Sequence, residues 1–329
     1  MRPRENRFGI LIWIDKLPTG EAVPAEISDP LNRMTVRRKF KLALPSGTLT
    51  LGVRTLVMGV LNVTPDSFSD GGKFYTNEHA IAQALRIERE GADLLDIGAE
   101  STRPGSAGVT IEEELRRLLP VLGSVRRLLK IPISIDTQKA EVAEAAIKAG
   151  AQIINDVSGL RGDTRIAAVA ARHGVPLILM HRRGEPRTMQ KGPFARDVMK
   201  DVTAGLQRSV ALAVKAGVRK AQIILDPGIG FGKNYQQNYE LLQKLAQFGK
   251  MGFPLLVGTS RKAFLGATLA RNGKPLPPEE RIWATAATVT ASILHGAHIV
   301  RVHDALEMVQ VARVADCCLA HARRAQGKK

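Results

Sequence analysis

Residues 57–72 read VMGVLNVTPDSFSDGG, and the fold turns on how the first half of that stretch gives way to the second. Residues 57–61 are continuously apolar, the pattern of a strand buried on both faces, and the character changes at Asn62. That change marks a strand end. Beyond it Pro65 fixes a turn, Asp66, Ser67, Ser69 and Asp70 supply carboxylates and hydroxyls, and Gly71 and Gly72 permit unusual backbone angles. An Asn at the carboxyl end of a buried strand, followed by an acidic, hydroxylated loop with one aromatic, Phe68, suits a place where a hydrated cation meets a phosphate-bearing substrate. A plain surface turn is the alternative reading.

The same alternation recurs along the chain. Apolar runs that end in polar residues occupy 57–62, 94–99, 132–137, 153–157, 176–181, 223–227, 254–260 and 298–303. Between them lie segments with helical spacing, such as Leu115, Leu118, Leu119 and Leu122. Gly91, Gly150, Gly174, Gly217, Gly252 and Gly296 stand where each preceding helix would stop, and Pro132, Pro176 and Pro254 suit first strand positions. Short buried strands alternating with helices require a parallel sheet with right-handed crossovers, and eight such units are the count for a closed (β/α)8 TIM barrel. A doubly wound α/β sheet is the runner-up. Ahead of the first run, Phe40, Leu42 and Leu44, then Pro45-Ser46-Gly47, then Leu49 and Leu51 predict an N-terminal β-hairpin with one apolar face, placed to close the bottom of the barrel.

The 329 residues, 44% of them hydrophobic, are enough for a sizeable core, and no run reaches membrane-spanning length. No small-residue cleavage pattern follows the short apolar segment 8–14, so a cytoplasmic protein is expected. Cys317 and Cys318 are adjacent, which disfavours a disulfide between them, and they have no metal-ligand spacing. The net charge of +17 invites a nucleic-acid reading, but the basic residues are spread along the chain and only 4% of residues are aromatic. No nucleic-acid partner is expected; the charge suits a solvated surface that attracts small anionic substrates.

In a barrel the active site lies at the carboxyl ends of the strands. Here the runs end with Asn62; Glu100, Ser101, Thr102 and Arg103; Asp136; Asn155 and Asp156; Met180 and His181; Asp226; Ser260, Arg261 and Lys262; and Arg301, His303 and Asp304. Each alone has a bland reading as a helix cap, but eight together describe a substrate. Asp136, Asn155 and Asp226 suit a flat heterocycle with ring N–H and amino donors, and Lys262 can donate to its carbonyl oxygen; a pterin or a purine fits. Arg301 and His303, beside the Asn62 loop across the barrel closure, make a place for a diphosphate and its magnesium ion. No Ser-His-Asp order, cysteine nucleophile or clustered histidine set points to covalent hydrolysis or zinc chemistry.

Three matches carry less than they suggest. Residues 228–234, GIGFGKN, lack the spacing of a phosphate loop, and Asn234 stands where Ser or Thr would bind magnesium. Asn62-Val63-Thr64 is a glycosylation sequon only formally, at a buried strand end. His173 and His295 lie near helix ends, where capping or packing is the default.

The motifs MGVLNVTPDSFSDGG at 58–72, DIGAESTRPG at 96–105, IDT at 135–137, IIND at 153–156, LDPGIGFGKN at 225–234, GTSRK at 258–262 and RVHD at 301–304 occur in one order, and over residues 38–320 the chain resembles dihydropteroate synthase of the folate pathway. The resemblance implies a (β/α)8 barrel that joins 6-hydroxymethyl-7,8-dihydropterin diphosphate to 4-aminobenzoate with Mg2+, a target of sulfonamides and a homodimer. It implies that Asp136, Asn155, Asp226 and Lys262 hold the pterin, with Met180 and Phe231 lining its pocket and Arg301 against the ring. It also implies Asn62 as the magnesium ligand; Thr102, Arg301 and His303, with Asn62, at the diphosphate; and Phe68, Arg103, Pro104 and Ser260 around 4-aminobenzoate. The catalytic set is then Asn62, Thr102, Arg103, Lys262, Arg301 and His303. Three units follow: 1–35, a poorly ordered N-terminal extension; 36–323, a single pterin-binding catalytic domain; and 324–329, a basic tail. Two positions depart from the family pattern: Ala99 replaces a Gly, which would alter the second loop if the site needs a positive φ, and Arg182 replaces a Met, adding charge near the rim. The rival readings are a pterin-binding methyltransferase domain and an inactive folate-binding paralogue.

Overall fold

The computed structural model describes residues 37–64, 73–101, 108–185 and 187–326. All of the extension expected over 1–35 therefore lies outside the described residues, as do Phe68, Thr102, Arg103 and Pro104.

The chain begins with an antiparallel hairpin, β1 (Phe40–Leu44) and β2 (Gly47–Leu51), in which Phe40 pairs with Leu51 and Leu44 with Gly47. Eight parallel strands follow: β3 (Leu56–Asn62), β4 (Leu94–Gly98), β5 (Ile133–Asp136), β6 (Ile153–Asp156), β7 (Leu177–Met180), β8 (Ile223–Asp226), β9 (Leu256–Val257) and β10 (Ile299–Val302). Their order across the sheet is β8-β7-β6-β5-β4-β3-β10-β9, and a parallel bridge between Leu225 and Leu255 brings β8 to the start of β9. The ring is closed, so the barrel stands and the doubly wound alternative falls.

Helices α1 (Lys73–Arg89), α2 (Ile111–Leu128), α3 (Ala140–Lys148), α4 (Arg165–His173), α5 (Val198–Lys215), α6 (Tyr235–Gln243), α7 (Ala246–Gly249), α8 (Ala263–Thr268), α9 (Ile282–Leu294) and α10 (Ala305–Gln326) accompany the strands. Because α10 runs through Gln326, the start of the expected basic tail belongs to a helix. The strands are buried on both faces because helices cover the outside and side chains fill the inside, which is why they read as unbroken apolar runs. Gly59 shows how tight the outer contact is: a Cβ there would run into Ile87 of α1.

The hairpin closes one end of the barrel, as expected. Leu42 and Leu51 are fully buried in a cluster with Met58, Leu94, Ile153, Ile178, Ile224, Leu256 and Ile299, all from the early part of the barrel strands. Gln222, just before β8, locks the hairpin in place: it accepts from the Ala43 N–H and donates to the Ala43 and Gly174 carbonyls. With the amino-terminal end plugged, only the carboxyl end is left for chemistry.

Candidate active site

The polar side chains at the strand ends meet in three groups. In the first, Arg301 on β10 donates from Nε to Asp96 Oδ2 at 2.7 Å and from Nη2 to Asp136 Oδ2 at 2.8 Å, while Asn155 Nδ2 donates to the same Asp96 oxygen at 3.0 Å. One arginine fork thus ties β10 to β4 and β5, and the amide of β6 joins it. Asp96 is wholly buried, and its Oδ1 has no hydrogen-bond partner among the described residues. A buried, unpartnered carboxylate oxygen is costly to keep unless something else uses it. Burial pushes the Asp136 carboxyl upward against the pull of Arg301, and the charges of Asp96, Glu114 and Glu100 add to the rise.

The second group lies at the ends of β7, β8 and β9. Asp226 Oδ1 accepts from the Gly228 N–H at 2.7 Å. Lys262 Nζ stands 3.9 Å from the centroid of the Phe231 ring, a cation–π contact. Met180, paired in register with Asp226, supplies a buried apolar neighbour. Burial pushes the Asp226 carboxyl up to about 6, with the Gly228 hydrogen bond and then the positive charges of Lys262, Lys233 and Arg301 opposing it.

The third group is His303 with Ser260: the His303 N–H donates to Ser260 Oγ at 3.2 Å, and His303 Nδ1 lies 3.0 Å from the same oxygen. Burial, then the charges of Arg301, Arg261 and Lys262, push His303 down to about 3, so the imidazole is neutral and acts through hydrogen bonds. Asn62 sits half-buried at the end of β3, opposite Gly98.

Several strand-end residues hold structure instead. Asp156 caps its own turn, accepting from Ser158 and from the Leu160 N–H. Arg261 adopts a left-handed φ of 59°, and Asp304, Thr285 and Arg281 all bond it there, so Ser260 and Lys262 flank a fixed reversal. Asn234 is the N-cap of α6, in a capping box with Gln237. The two departures are accommodated: Ala99 is not among the non-glycine residues with positive φ, and Arg182 is buried, donating to Gln138 Oε1 at 3.1 Å, not adding charge at an exposed rim.

The family profile described as "Pterin binding enzyme" matches residues 58–303. The dihydropteroate synthase of Synechocystis is 50% identical over 279 residues, which is 84% of this chain and 95% of that protein. The chain belongs to the dihydropteroate synthase family of pterin-binding enzymes. Solved relatives agree with the fold: the Xanthomonas albilineans dihydropteroate synthase with 4-aminobenzoic acid has a TM-score of 0.78 at 41% identity, covering 85% of this chain and 98% of that one. The Yersinia pestis enzyme in complex with a sulfonamide drug has a TM-score of 0.77 at 40% identity, covering 84% and 98%.

For a dihydropteroate synthase family member, the residue that strand-end reading passes over is Asp96. It lies inside β4 rather than at its tip, in the motif DIGAESTRPG. The signal was there, since a charged residue within a run buried on both faces has no solvated side to occupy and must have a partner. Of the residues expected around 4-aminobenzoate, Ser260 alone falls among the described residues.

Proposed function

We propose that this protein is a dihydropteroate synthase, a transferase that joins 6-hydroxymethyl-7,8-dihydropterin diphosphate to 4-aminobenzoate, giving 7,8-dihydropteroate and diphosphate on the route to tetrahydrofolate. The observation that carries this reading is the convergence of Asp96, Asp136, Asn155 and Arg301 on one hydrogen-bonded hub at the barrel mouth, together with Asp226 and Lys262. The family membership and the 4-aminobenzoic acid bound by the Xanthomonas relative support both substrates.

In this reading Asp136, Asn155 and Asp226 receive the pterin amino and ring N–H groups, and Lys262 donates to the ring carbonyl. The bond between the exocyclic carbon and the diphosphate oxygen breaks with its electron pair leaving on the diphosphate. Arg301, the neutral His303 and Thr102 donate to the departing oxygens, while the dihydropterin ring spreads the positive charge left on carbon. The amino nitrogen of 4-aminobenzoate then forms the new C–N bond, within a pocket assigned to Phe68, Arg103, Pro104 and Ser260. The resulting anilinium is strongly acidic and yields its proton to water, so a His303 held near 3 is no handicap.

Magnesium belongs to the same proposal. Among the described residues no group of three His, Cys, Asp or Glu side chains could cage a metal. The single amide oxygen of Asn62 fits an ion that takes most of its oxygens from phosphate and water. When bound, the ion neutralises charge building on the leaving diphosphate.

Among the described residues no helix is long and apolar enough to cross a membrane. We place the enzyme in the cytoplasm as a homodimer, and Trp283 of α9 and Val314 of α10, 80% and 66% exposed, support a second copy of the chain on that face. Diphosphate release that requires both the pterin diphosphate and 4-aminobenzoate is the decisive assay. Release with the pterin diphosphate alone, or methyl transfer from methyltetrahydrofolate, overturns the reading.

A further inference from the structure

The glycine-rich run 228–234 is not a phosphate loop, yet it carries a lysine that the reaction above leaves unused. Lys233 is only 2% exposed. Its Nζ donates to the Gly228 carbonyl at 2.8 Å and to the His181 carbonyl at 2.9 Å, and lies 3.0 Å from His181 Nδ1. Three acceptors around one nitrogen are what an ammonium satisfies. The far side of the imidazole suits that arrangement, because His181 Nε2 faces Asp201 Oδ2 at 3.5 Å. An ammonium donating to Nδ1 leaves the ring proton on Nε2, toward that carboxylate. A neutral amine would need the ring proton on Nδ1 and would leave a bare lone pair facing Asp201.

The connection to the site runs through Gly228. Its φ is +68°, and a Cβ there would strike the His181 carbonyl, so the turn after β8 packs directly on the end of β7. The Gly228 N–H donates to Asp226 Oδ1 while its carbonyl accepts from Lys233. One peptide segment is held at both ends, by the carboxylate on one side and the buried ammonium on the other. The charged groups that act on Asp226 are Lys262, Lys233 and Arg301; those that act on Lys233 are Asp226, Asp201, Lys262 and Arg161. Burial pulls Lys233 down to about 7, and the carboxylates of Asp226 and Asp201 work against that pull.

We propose that Lys233 is a positioning residue for Asp226: it pins the Gly228 turn to the end of β7 and supplies a buried positive charge that keeps Asp226 an acceptor for the pterin donors. The proposal rests on the pterin reading of Asp226. It gives the Lys of GIGFGKN a task under the ring rather than at the phosphates.

The test is calorimetry on the full chain with 6-hydroxymethyl-7,8-dihydropterin diphosphate, without 4-aminobenzoate, for Lys233→Gln, Asp226→Asn and the double variant. Gln keeps donors for the two carbonyls and removes the charge. Lys233→Gln is expected to weaken pterin binding about tenfold at neutral pH, to recover part of that loss toward pH about 8.5, and to raise KM for the pterin diphosphate with kcat near native. In the Asp226→Asn background the same change is expected to add nothing, since Lys233 acts through Asp226. A folded Lys233→Gln with native affinity and native pH profile, or fully additive losses in the double variant, overturns the proposal. Unchanged affinity in Asp226→Asn alone overturns the pterin reading instead. As the ammonium is lost between pH about 7 and 9 the native protein must converge on Lys233→Gln, so the ratio of their pterin affinities must shrink, and a ratio constant across that range refutes the proposal.

Discussion

Replacing Asp226 by Asn is expected to make the ligand-free protein more stable while ruining its pterin binding. Burial raises this carboxyl from its ordinary 3.8 to about 6, a net effect that already includes the hydrogen bond from Gly228 and the pull of Lys262, Lys233 and Arg301. At about 1.4 kcal/mol for each tenfold change in proton affinity, the ionised form costs the folded state about 3 kcal/mol relative to the unfolded chain. The folded protein holds this proton more tightly than the unfolded chain does. The group's contribution to stability is therefore present in full below pH 3.8 and is lost as the pH rises through about 6. Asn keeps an acceptor for the Gly228 N–H and carries no charge to desolvate. Thermal unfolding should show the variant melting higher at pH about 8, by up to roughly 6 °C for a domain of this size, with the difference shrinking toward pH about 4. Calorimetry on the same samples should show pterin affinity reduced on the order of 100-fold. An Asn variant no more stable than native at alkaline pH, or a difference that ignores pH, would refute the claim that Asp226 is a charge held against its burial for the sake of a ligand.

Three further changes probe other parts of the molecule. Asp96→Asn should lower kcat/KM on the order of 100-fold and also lower the melting temperature, because it takes a carboxylate from the buried Arg301 fork; steady-state kinetics on the folded variant beside a thermal melt separates the two effects. Leu42→Ala in the hairpin should cost about 2–5 kcal/mol in urea unfolding while kcat stays native, and a drop in kcat in the folded variant would contradict the division between plugged end and reactive end. Arg37→Met removes donors to Thr55 and the Ala297 carbonyl and leaves Asp316 without its buried partner, so a loss of about 3 kcal/mol is expected in the same assay.

The barrel was legible because each strand is covered on both faces and so is largely apolar up to its carboxyl end, from residue 57 through the run that begins near 298. The extent of β9 was not. The run at 254–260 looks like a full strand, but the ladder holds only Leu256–Val257 before the chain turns through Thr259 toward the reversal at Arg261. Ser260 and Lys262 are placed by that departure from the sheet, which hydropathy does not register. The strand-end residues Asp136, Asn155, Asp226 and Arg301 were legible from position, since a barrel offers one reactive end. Asp96 showed locally as a charge inside a buried strand, but its partner did not, and Lys233 showed neither, because partnership across β4 and β10, or between the turn after β8 and the end of β7, has no local pattern. His303 was read with Arg301 as a place for a diphosphate; burial beside Arg301, Arg261 and Lys262 makes it neutral, which depends in part on Arg261 and Lys262, neighbours distant in sequence.

The seam of the barrel has a consequence for how the protein is made. β3, the first barrel strand to leave the ribosome, takes β10, the last, as one of its two neighbours, with Leu56 opposite Ile299. Synthesis proceeds at about 5–20 residues per second, so an edge of β3 waits on the order of ten seconds or more for its partner. Arg301, which joins three strands at the site, arrives on that same last strand. A nascent chain therefore has no partly working intermediate, and a message cut short before the final strand yields an open sheet with two bare edges, a substrate for chaperones and proteases rather than a weak enzyme.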